Sequence, residues 1–325
     1  TTEIYTLSLH DALPIYRNRN WSEYQETKMR RAFLAGVKWI RHHSMHWFLR
    51  EPEKGKYDWT YFDDRLELAE KYKMHFLLTF GSVPEWASSS SDKKMTVCGT
   101  YFYQNSPPKE WKDWSDFIET VVSRYKGRIK WYELWNEPGF TSAFWCNGSA
   151  KDYAALLKTG YEAAKKVDPD CVVVSGAPLT VDFMDAVVKE NGGKLYSDVM
   201  SLHYLENSAR ESARLKSWKM FMNQVGGADI PIVNSEEMGW ISATGELGKA
   251  SSMVKTYVRE ASVGIEKTFA FDLFSTGSIY HASAFDYDGN ILPIYAAYRT
   301  MTHRLEYAKF VGNLSSAETE AYLFD

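Results

Sequence analysis

Two acidic clusters, each closing a short apolar run, are the residues of this chain best suited to do chemistry. One is Tyr132-Glu133-Leu134-Trp135-Asn136-Glu137-Pro138, and the other is Asn234-Ser235-Glu236-Glu237. A short apolar run reads as a buried strand, so each cluster delivers a carboxyl group to a strand's C-terminal tip. Two carboxyls held that way can break the acetal bond between sugars. One protonates the leaving oxygen while the anomeric carbon is attacked from the opposite face. The division of labour needs one acid protonated near neutral pH and the other ionised. A lone Glu137 would be a weak signal, because a single strand-end Glu is commonly solvated or ion-paired. Asn136 before it, Pro138 after it and the second acidic pair strengthen the reading.

Carboxyls at strand tips need a frame that aligns the strands. From residue 22 onward, helix-period segments alternate with short apolar runs, the signature of parallel β/α architecture. The strand-like runs are Val37–Arg41, Met74–Phe80, Ile129–Leu134, Cys171–Val174, Val199–His203, Pro231–Ser235 and Lys267–Leu273, and Pro293–Leu305 closes as a helix. Ser149 with Asp152 three residues on reads as a capping-box pair opening one of the intervening helices. The first helix lacks its own preceding strand, which should lie in residues 1–16. A seven-stranded open sheet would leave bare edges. The predicted fold is therefore α/β, a (β/α)8 TIM barrel over residues 17–306, whose first strand is damaged or imitated by residues near Ile4–Leu9. Reduced stability is the expected consequence. Phe310-Val311-Gly312 and Ala321-Tyr322-Leu323-Phe324 read as short strands opening a C-terminal β module over 307–325.

The bulk numbers narrow the ligand. A net charge of −4 without a long Lys/Arg run speaks against nucleic acid and anionic membranes, and for a neutral ligand. No apolar run approaches the ~20 residues of a membrane span. Residues 1–15, TTEIYTLSLHDALPI, resemble a translated sequencing-adapter peptide. If the natural start is missing, the lack of a signal peptide carries no information, and a secreted or periplasmic location stays open. Ser175-Gly176 lacks the surroundings of a nucleophile elbow and no Gly-rich phosphate loop follows a strand, so no nucleotide or other cofactor is expected.

Aromatic residues make up 15% of the chain, and Trp86, Tyr101, Tyr103, Trp145, Trp240 and Tyr280 fall in expected loops, where flat rings suit sugar faces. Cys98 and Cys146 lie in loops of one expected face, so a disulfide between them competes with free thiols, while Cys171 reads as a small core residue. His42-His43-Ser44-Met45-His46 follows a strand and enters an expected loop. A zinc pair on one helix face is therefore not predicted, and His43 is read as a subsite residue at the same mouth as Arg41.

These residues resemble the clan A glycoside hydrolases, whose barrels carry an Asn-Glu pair at the end of strand four and a second Glu at the end of strand seven. Counting the missing strand first, Asn136-Glu137 ends the fourth and Ser235-Glu236 the seventh. The likeness covers residues 20–310 and includes Gly36–Arg41, Trp47, Glu51–Trp59, Leu77–Gly81, Pro84–Ala87 and His203-Tyr204. In detail it is most similar to glycoside hydrolase family 39 and its neighbours, which include β-xylosidases. The resemblance implies a retaining hydrolase acting on oligo- or polysaccharide, with Glu137 as acid/base and Glu236 as nucleophile. It further implies that Asn136 binds the sugar 2-hydroxyl, that Arg41 and Tyr204 flank the nucleophile, and that His203 orients a neighbour or touches substrate. Trp47, Trp86 and Trp240 join the implied substrate contacts.

Two departures qualify the transfer. Glu236 and Glu237 are adjacent, so the nucleophile is ambiguous; adjacent strand residues face opposite sides, so only one can point at the pocket, and Glu236 is favoured because Ser235-Glu236 aligns better with the family pattern. Strand eight reads Phe271-Asp272-Leu273-Phe274 where many relatives have Trp, leaving Phe274 or a loop aromatic as the sugar platform. The competing reading is a catalytically silent carbohydrate-binding barrel. The joint presence of Asn136, Glu137, Glu236, Arg41 and Tyr204 argues against it.

Overall fold

The computed structural model describes residues 6–9, 21–205, 209–271, 273–274, 283–286, 288–316 and 319–325. Strands β1 (Thr6–Leu9), β2 (Trp39–His46), β3 (His75–Gly81), β4 (Trp131–Leu134), β5 (Val172–Ser175), β6 (Met200–His203), β7 (Ile232–Glu237) and β8 (Ile265–Phe271) form a single parallel sheet in the order β5-β4-β3-β2-β1-β8-β7-β6. A parallel bridge between Val174 and Val199 joins the two ends, reinforced by Ser175 N donating to Val199 O at 3.1 Å. The sheet thus closes into the (β/α)8 barrel expected from the alternating pattern. β1 pairs with β2 at Leu7–Ile40 and with β8 at Leu7–Ala270, so Thr6–Leu9 occupies the position that the sequence left to a damaged or imitated strand.

The helices α1 (Trp21–Leu34), α2 (Trp47–Arg50), α3 (Thr60–Lys71), α4 (Trp111–Tyr125), α5 (Ala150–Val167), α6 (Val181–Glu190), α7 (Ala209–Gln224), α8 (Gly245–Ser262) and α9 (Pro293–Leu305) accompany the strands. The predicted cap at α5 forms: Asp152 N donates to Ser149 Oγ at 3.2 Å and Ser149 N donates to Asp152 Oδ2 at 2.8 Å. In α4 the apolar positions Trp114, Phe117, Ile118, Val121, Val122 and Tyr125 recur at helical spacing, and all are buried against the sheet. Beyond α9, β9 (Phe310–Asn313) and β10 (Tyr322–Phe324) pair as an antiparallel two-stranded sheet. No helix among the described residues is long and apolar enough to cross a membrane.

Inside the barrel the strands stack their side chains in layers. Trp39, Leu77, Trp131, Val174, Val199, Val233 and Phe269 form a separate apolar cluster, the floor. Because the strand period is two, the residues two further along the same strands point the same way. Five of those seven residues are Arg41, Thr79, Glu133, Ser201 and Ser235, the other two being Gly176 and Phe271, so a largely polar layer rests on the apolar floor. A parallel strand buried on both faces normally carries apolar residues, and a charge there has to be paired.

Two boundaries differ from the sequence reading. β2 runs through His46, so the His42–His46 cluster is strand rather than loop, with a pairing irregularity between His42 and Met45. His42 packs on the rings of Phe62 and Phe76, away from the barrel interior. β7 runs through Glu237, and its pairing with β6 slips at Ser235: Leu202 faces Asn234 but His203 faces Glu236. That slip is a β-bulge, which re-aims the side chains that follow it.

Candidate active site

The polar layer holds one central cation. Arg41 is fully buried, and its planar fork donates from Nε to Glu133 Oε2 at 2.6 Å, from Nη1 to Glu236 Oε2 at 3.0 Å and from Nη2 to Asn136 Oδ1 at 2.6 Å. Glu133 also accepts from Thr79 Oγ1 at 2.7 Å and Ser235 Oγ at 2.8 Å. A buried charge survives without water only when it is paired and hydrogen-bonded. Arg41 and Glu133 meet that requirement for each other, and Arg41 has donors left for the two residues above them.

Glu137 sits just past β4 on a backbone that few side chains adopt. Trp135 and Glu137 have φ of +82° and +45°, and Glu137 N donates to Gly176 O at 2.7 Å. Only a glycine fits at 176, since a Cβ there would lie 2.6 Å from Leu134 O. The strained turn lifts the Glu137 carboxyl into the barrel mouth. There Oε1 lies 2.8 Å from His203 Nδ1, and His203 Nε2 lies 2.9 Å from Ser235 Oγ.

The bulge decides between the adjacent acids geometrically. Ser235 and Glu236 both turn inward, Glu236 receiving Arg41 on one oxygen and the Tyr204 hydroxyl on Oε1 at 2.5 Å. Glu237 turns out toward α8, where Asn234 Nδ2 donates to its Oε2 at 2.7 Å and to Glu260 Oε1 at 2.8 Å. Simple alternation would have put Ser235 and Glu237 on one side. The extra residue at the bulge places Ser235 and Glu236 there instead.

The two inward carboxyls differ in surroundings. Glu137 retains 4% exposure, and burial pushes its pKa up to about 7 against the opposing pull of Arg41 and Arg214. His203 is pulled down to about 4, chiefly by burial and against the charge of Glu236, so its ring is neutral over the ordinary pH range. Burial, then the charges of Glu236 and Glu137, hold the Tyr204 phenol protonated. One ligand-type atom from each of Glu137, His203 and Glu236 lies within 4.8 Å of the others. Carboxyl groups roughly 5–5.5 Å apart suit double displacement, and wider spacing suits inversion.

Other residues read from the sequence fall elsewhere. Trp47 is fully buried, stacks on Phe117 at 5.2 Å and donates from Nε1 to Glu51 Oε2 at 2.6 Å. Trp240 is fully buried in a 3-10 turn, Gly239–Ser242, and Phe274 packs among Phe285, Tyr295 and Tyr298. These three correct the sequence reading: rings without accessible faces serve the core, not a sugar. Trp145 is likewise buried, its Nε1 donating to Ser149 O at 3.0 Å. Trp86 is half-buried, edge-on to Trp47, with Nε1 donating to Glu51 O at 3.0 Å. His43 is nearly buried on β2, two residues beyond Arg41. Tyr101 and Tyr103 stack at 5.6 Å, with Tyr101 exposed, while Tyr280 and Asp272 lie outside the described residues. Cys98 and Cys146 are both free thiols, so the disulfide is not formed.

Glu133, Thr79, Ser201 and Ser235 had no role in the sequence reading, yet they build the layer beneath the carboxyls. Glu133 carried a signal: it is the one acidic residue inside the apolar strand Trp131–Leu134.

Comparison with known proteins bears on the family and the fold. Glycosyl hydrolases family 39 matches residues 12–226. A beta-xylosidase of Geobacillus stearothermophilus is 31% identical over 123 residues, 35% of this chain and only 23% of that protein, so the matched stretch is a minor part of the relative. A family 39 glycoside hydrolase from Bacteroides cellulosilyticus WH2 superposes with a TM-score of 0.75 at 20% identity, covering 98% of this chain and 67% of that one. A monomeric beta-xylosidase from Caulobacter crescentus CB15 gives 0.69 at 16% identity, covering 100% and 70%. At such identities the superpositions speak for the barrel alone, and it is the family match over most of the chain that places this protein in glycosyl hydrolases family 39.

Proposed function

We propose that the chain is a retaining glycosidase that hydrolyses O-glycosidic bonds in plant or microbial oligo- or polysaccharides, with Glu236 as nucleophile and Glu137 as acid/base. The observation that carries this reading is the pairing of two inward carboxyls within 4.8 Å in opposite electrostatic settings. Glu236 is held by a guanidinium and a phenol, whereas Glu137 is raised by burial to about 7.

In the first step a Glu236 oxygen attacks the anomeric carbon, the glycosidic C–O bond breaks, and the Glu137 proton passes to the departing oxygen. In the second, Glu137 takes a proton from water, the hydroxide oxygen bonds to the anomeric carbon, and Glu236 leaves as carboxylate. Asn136, fixed by Arg41, is offered to the sugar 2-hydroxyl, a contact that strengthens as charge develops. The names of the relatives make β-xylosides the first substrates to try.

The test is covalent trapping with an aryl 2-deoxy-2-fluoro glycoside followed by peptide mass analysis. A glycosyl adduct on Glu236 supports the assignment, and an adduct on Glu237 moves the nucleophile. Binding of xylo-oligosaccharides without trapping or cleavage would replace the reading with a silent carbohydrate-binding barrel.

A further inference from the structure

A continuous hydrogen-bonded path joins the two carboxyls from beneath. It runs from Glu137 to His203, Ser235, Glu133, Arg41 and Glu236, with successive contacts of 2.8, 2.9, 2.8, 2.6 and 3.0 Å. The direction of each bond follows from the donor inventory. The Glu133 carboxylate, already facing the Arg41 guanidinium and the Thr79 hydroxyl, offers only acceptor sites. Ser235 has one hydroxyl hydrogen, and a bond to a charged acceptor is its strongest use. Its other close neighbour, Ser201 Oγ at 2.5 Å, would serve equally to draw that hydrogen away from His203. In either case Ser235 Oγ can only accept from His203 Nε2, so the ring hydrogen is on Nε2 and the Nδ1 lone pair is bare.

We propose that Ser235, anchored on Glu133, fixes the Nε2–H tautomer of His203 and so keeps a proton on Glu137, whose carboxyl must donate to the bare Nδ1. The inference rests on the glycosidase reading for its consequence, though not for its geometry. In the first step Glu137 starts as the donor it has to be. Once that proton has gone to the leaving group, the Glu137 carboxylate faces a nitrogen lone pair at 2.8 Å, which favours taking a proton back from water. The opposite tautomer would put an N–H against Glu137 and stabilise it ionised. Ser235 and Glu133 are therefore positioning residues, acting through His203.

Several other groups face Glu137: Arg41 from β2, Tyr204 just past β6, Arg214 on α7, Glu236 on β7 and the Cys98 thiol of the β3–α4 loop. Arg41 and Arg214 favour the ionised carboxyl and Glu236 disfavours it, so charge alone does not choose the state. The tautomer adds a directional preference that those charges lack.

The decisive measurement is the tautomer itself. Nitrogen-15 NMR of histidine-labelled protein, with the His203 signal identified by its loss in His203→Asn, should show protonated Nε2 and bare Nδ1. Ser235→Ala should transfer the hydrogen to Nδ1 and lower the basic limb of the pH profile of kcat/KM by about one unit. Ser235→Thr, which keeps the hydroxyl, should restore both. Wild-type protein carrying Nδ1–H would overturn the proposal, as would Ser235→Ala with unchanged tautomer and unchanged basic limb. If Ser235→Ala does not fold, the wild-type spectrum decides alone. If the protein cleaves no glycoside, the same spectrum still tests the tautomer, and only the glycosidase reading falls.

Discussion

Tyr204 and Arg41 divide the Glu236 carboxylate between them, the phenol on Oε1 at 2.5 Å and the guanidinium on Oε2 at 3.0 Å. Each oxygen thus has its own donor. Removing one hydrogen bond to a charged group costs about 1.5–3 kcal/mol, so Tyr204→Phe should lower turnover roughly ten- to hundredfold. On the proposed mechanism the phenol stabilises Glu236 as it departs, so breakdown of the glycosyl-enzyme should slow more than its formation. A burst of aryl alcohol in rapid-mix kinetics, absent from wild type, checks this.

On the proposed mechanism the pKa of Glu137, raised to about 7 by burial, should set the alkaline edge of activity. The acid form is needed for the first step, so kcat/KM should fall as pH rises through about 7. His203, pulled down to about 4, should contribute no protonation change near that edge. Glu137→Gln should remove the alkaline limb and slow substrates with poor leaving groups far more than activated aryl glycosides. A Brønsted series of leaving groups at fixed pH measures that contrast.

Behind β7, Glu260 is buried beside Glu237, and burial followed by the Glu237 charge raises its pKa well above the ordinary 4.5. The folded protein therefore keeps a proton that the unfolded chain releases. Stability from this group is complete below 4.5 and is lost as pH rises through the raised value, at about 1.4 kcal/mol per unit of elevation. Glu260→Gln cannot ionise, so its urea midpoint should decline less than that of wild type as pH rises above 4.5.

Gly176→Ala should damage fold and site together. Its Cβ would fall 2.6 Å from Leu134 O and 2.7 Å from the Trp135 carbonyl carbon, both rigid backbone. The turn that carries Glu137 would have to move, and a shift on the order of 1 Å at a reacting group can cost about a hundredfold in rate. Thermal unfolding and kcat should both report the change.

Phe274→Ala tests whether that ring serves the core. A buried Phe cut to Ala costs about 3–5 kcal/mol, which should appear in the unfolding midpoint. KM for an aryl glycoside, measured where the variant is folded, should stay within about twofold of wild type, since removing uniform substrate binding would raise it.

The strand order and the two mouth carboxyls were legible because they rest on short-range pattern. Apolar runs, helix spacing and the Ser149–Asp152 cap each reflect neighbours in sequence, and together they called for a barrel with a strand before residue 17. What escaped depends on contacts between distant strands. Nothing local to Asn234-Ser235-Glu236-Glu237 reveals that β7 bulges, because the slip is defined by its pairing with His203. Glu133 was in view, but its partners Arg41, Thr79 and Ser235 come from three other strands. Trp47, Trp240 and Phe274 misled for the converse reason: a large aromatic near a strand end has the same composition whether it lines a mouth or fills the space behind it.

The barrel is a belt fastened at one buckle. Between β5 and β6 the pairing shrinks to the Val174–Val199 bridge and a few backbone bonds around it, and the Glu137–His203 contact spans that same gap from above. Breathing of the molecule should begin there, with the Ser175 and Val199 amides exchanging before those of β2 and β3. A sugar gripped by groups on both sides would act as a clasp. Substrate occupancy and the integrity of the closed ring should then rise and fall together, and slowed exchange at Ser175 and Val199 on adding a non-hydrolysable xyloside would register it.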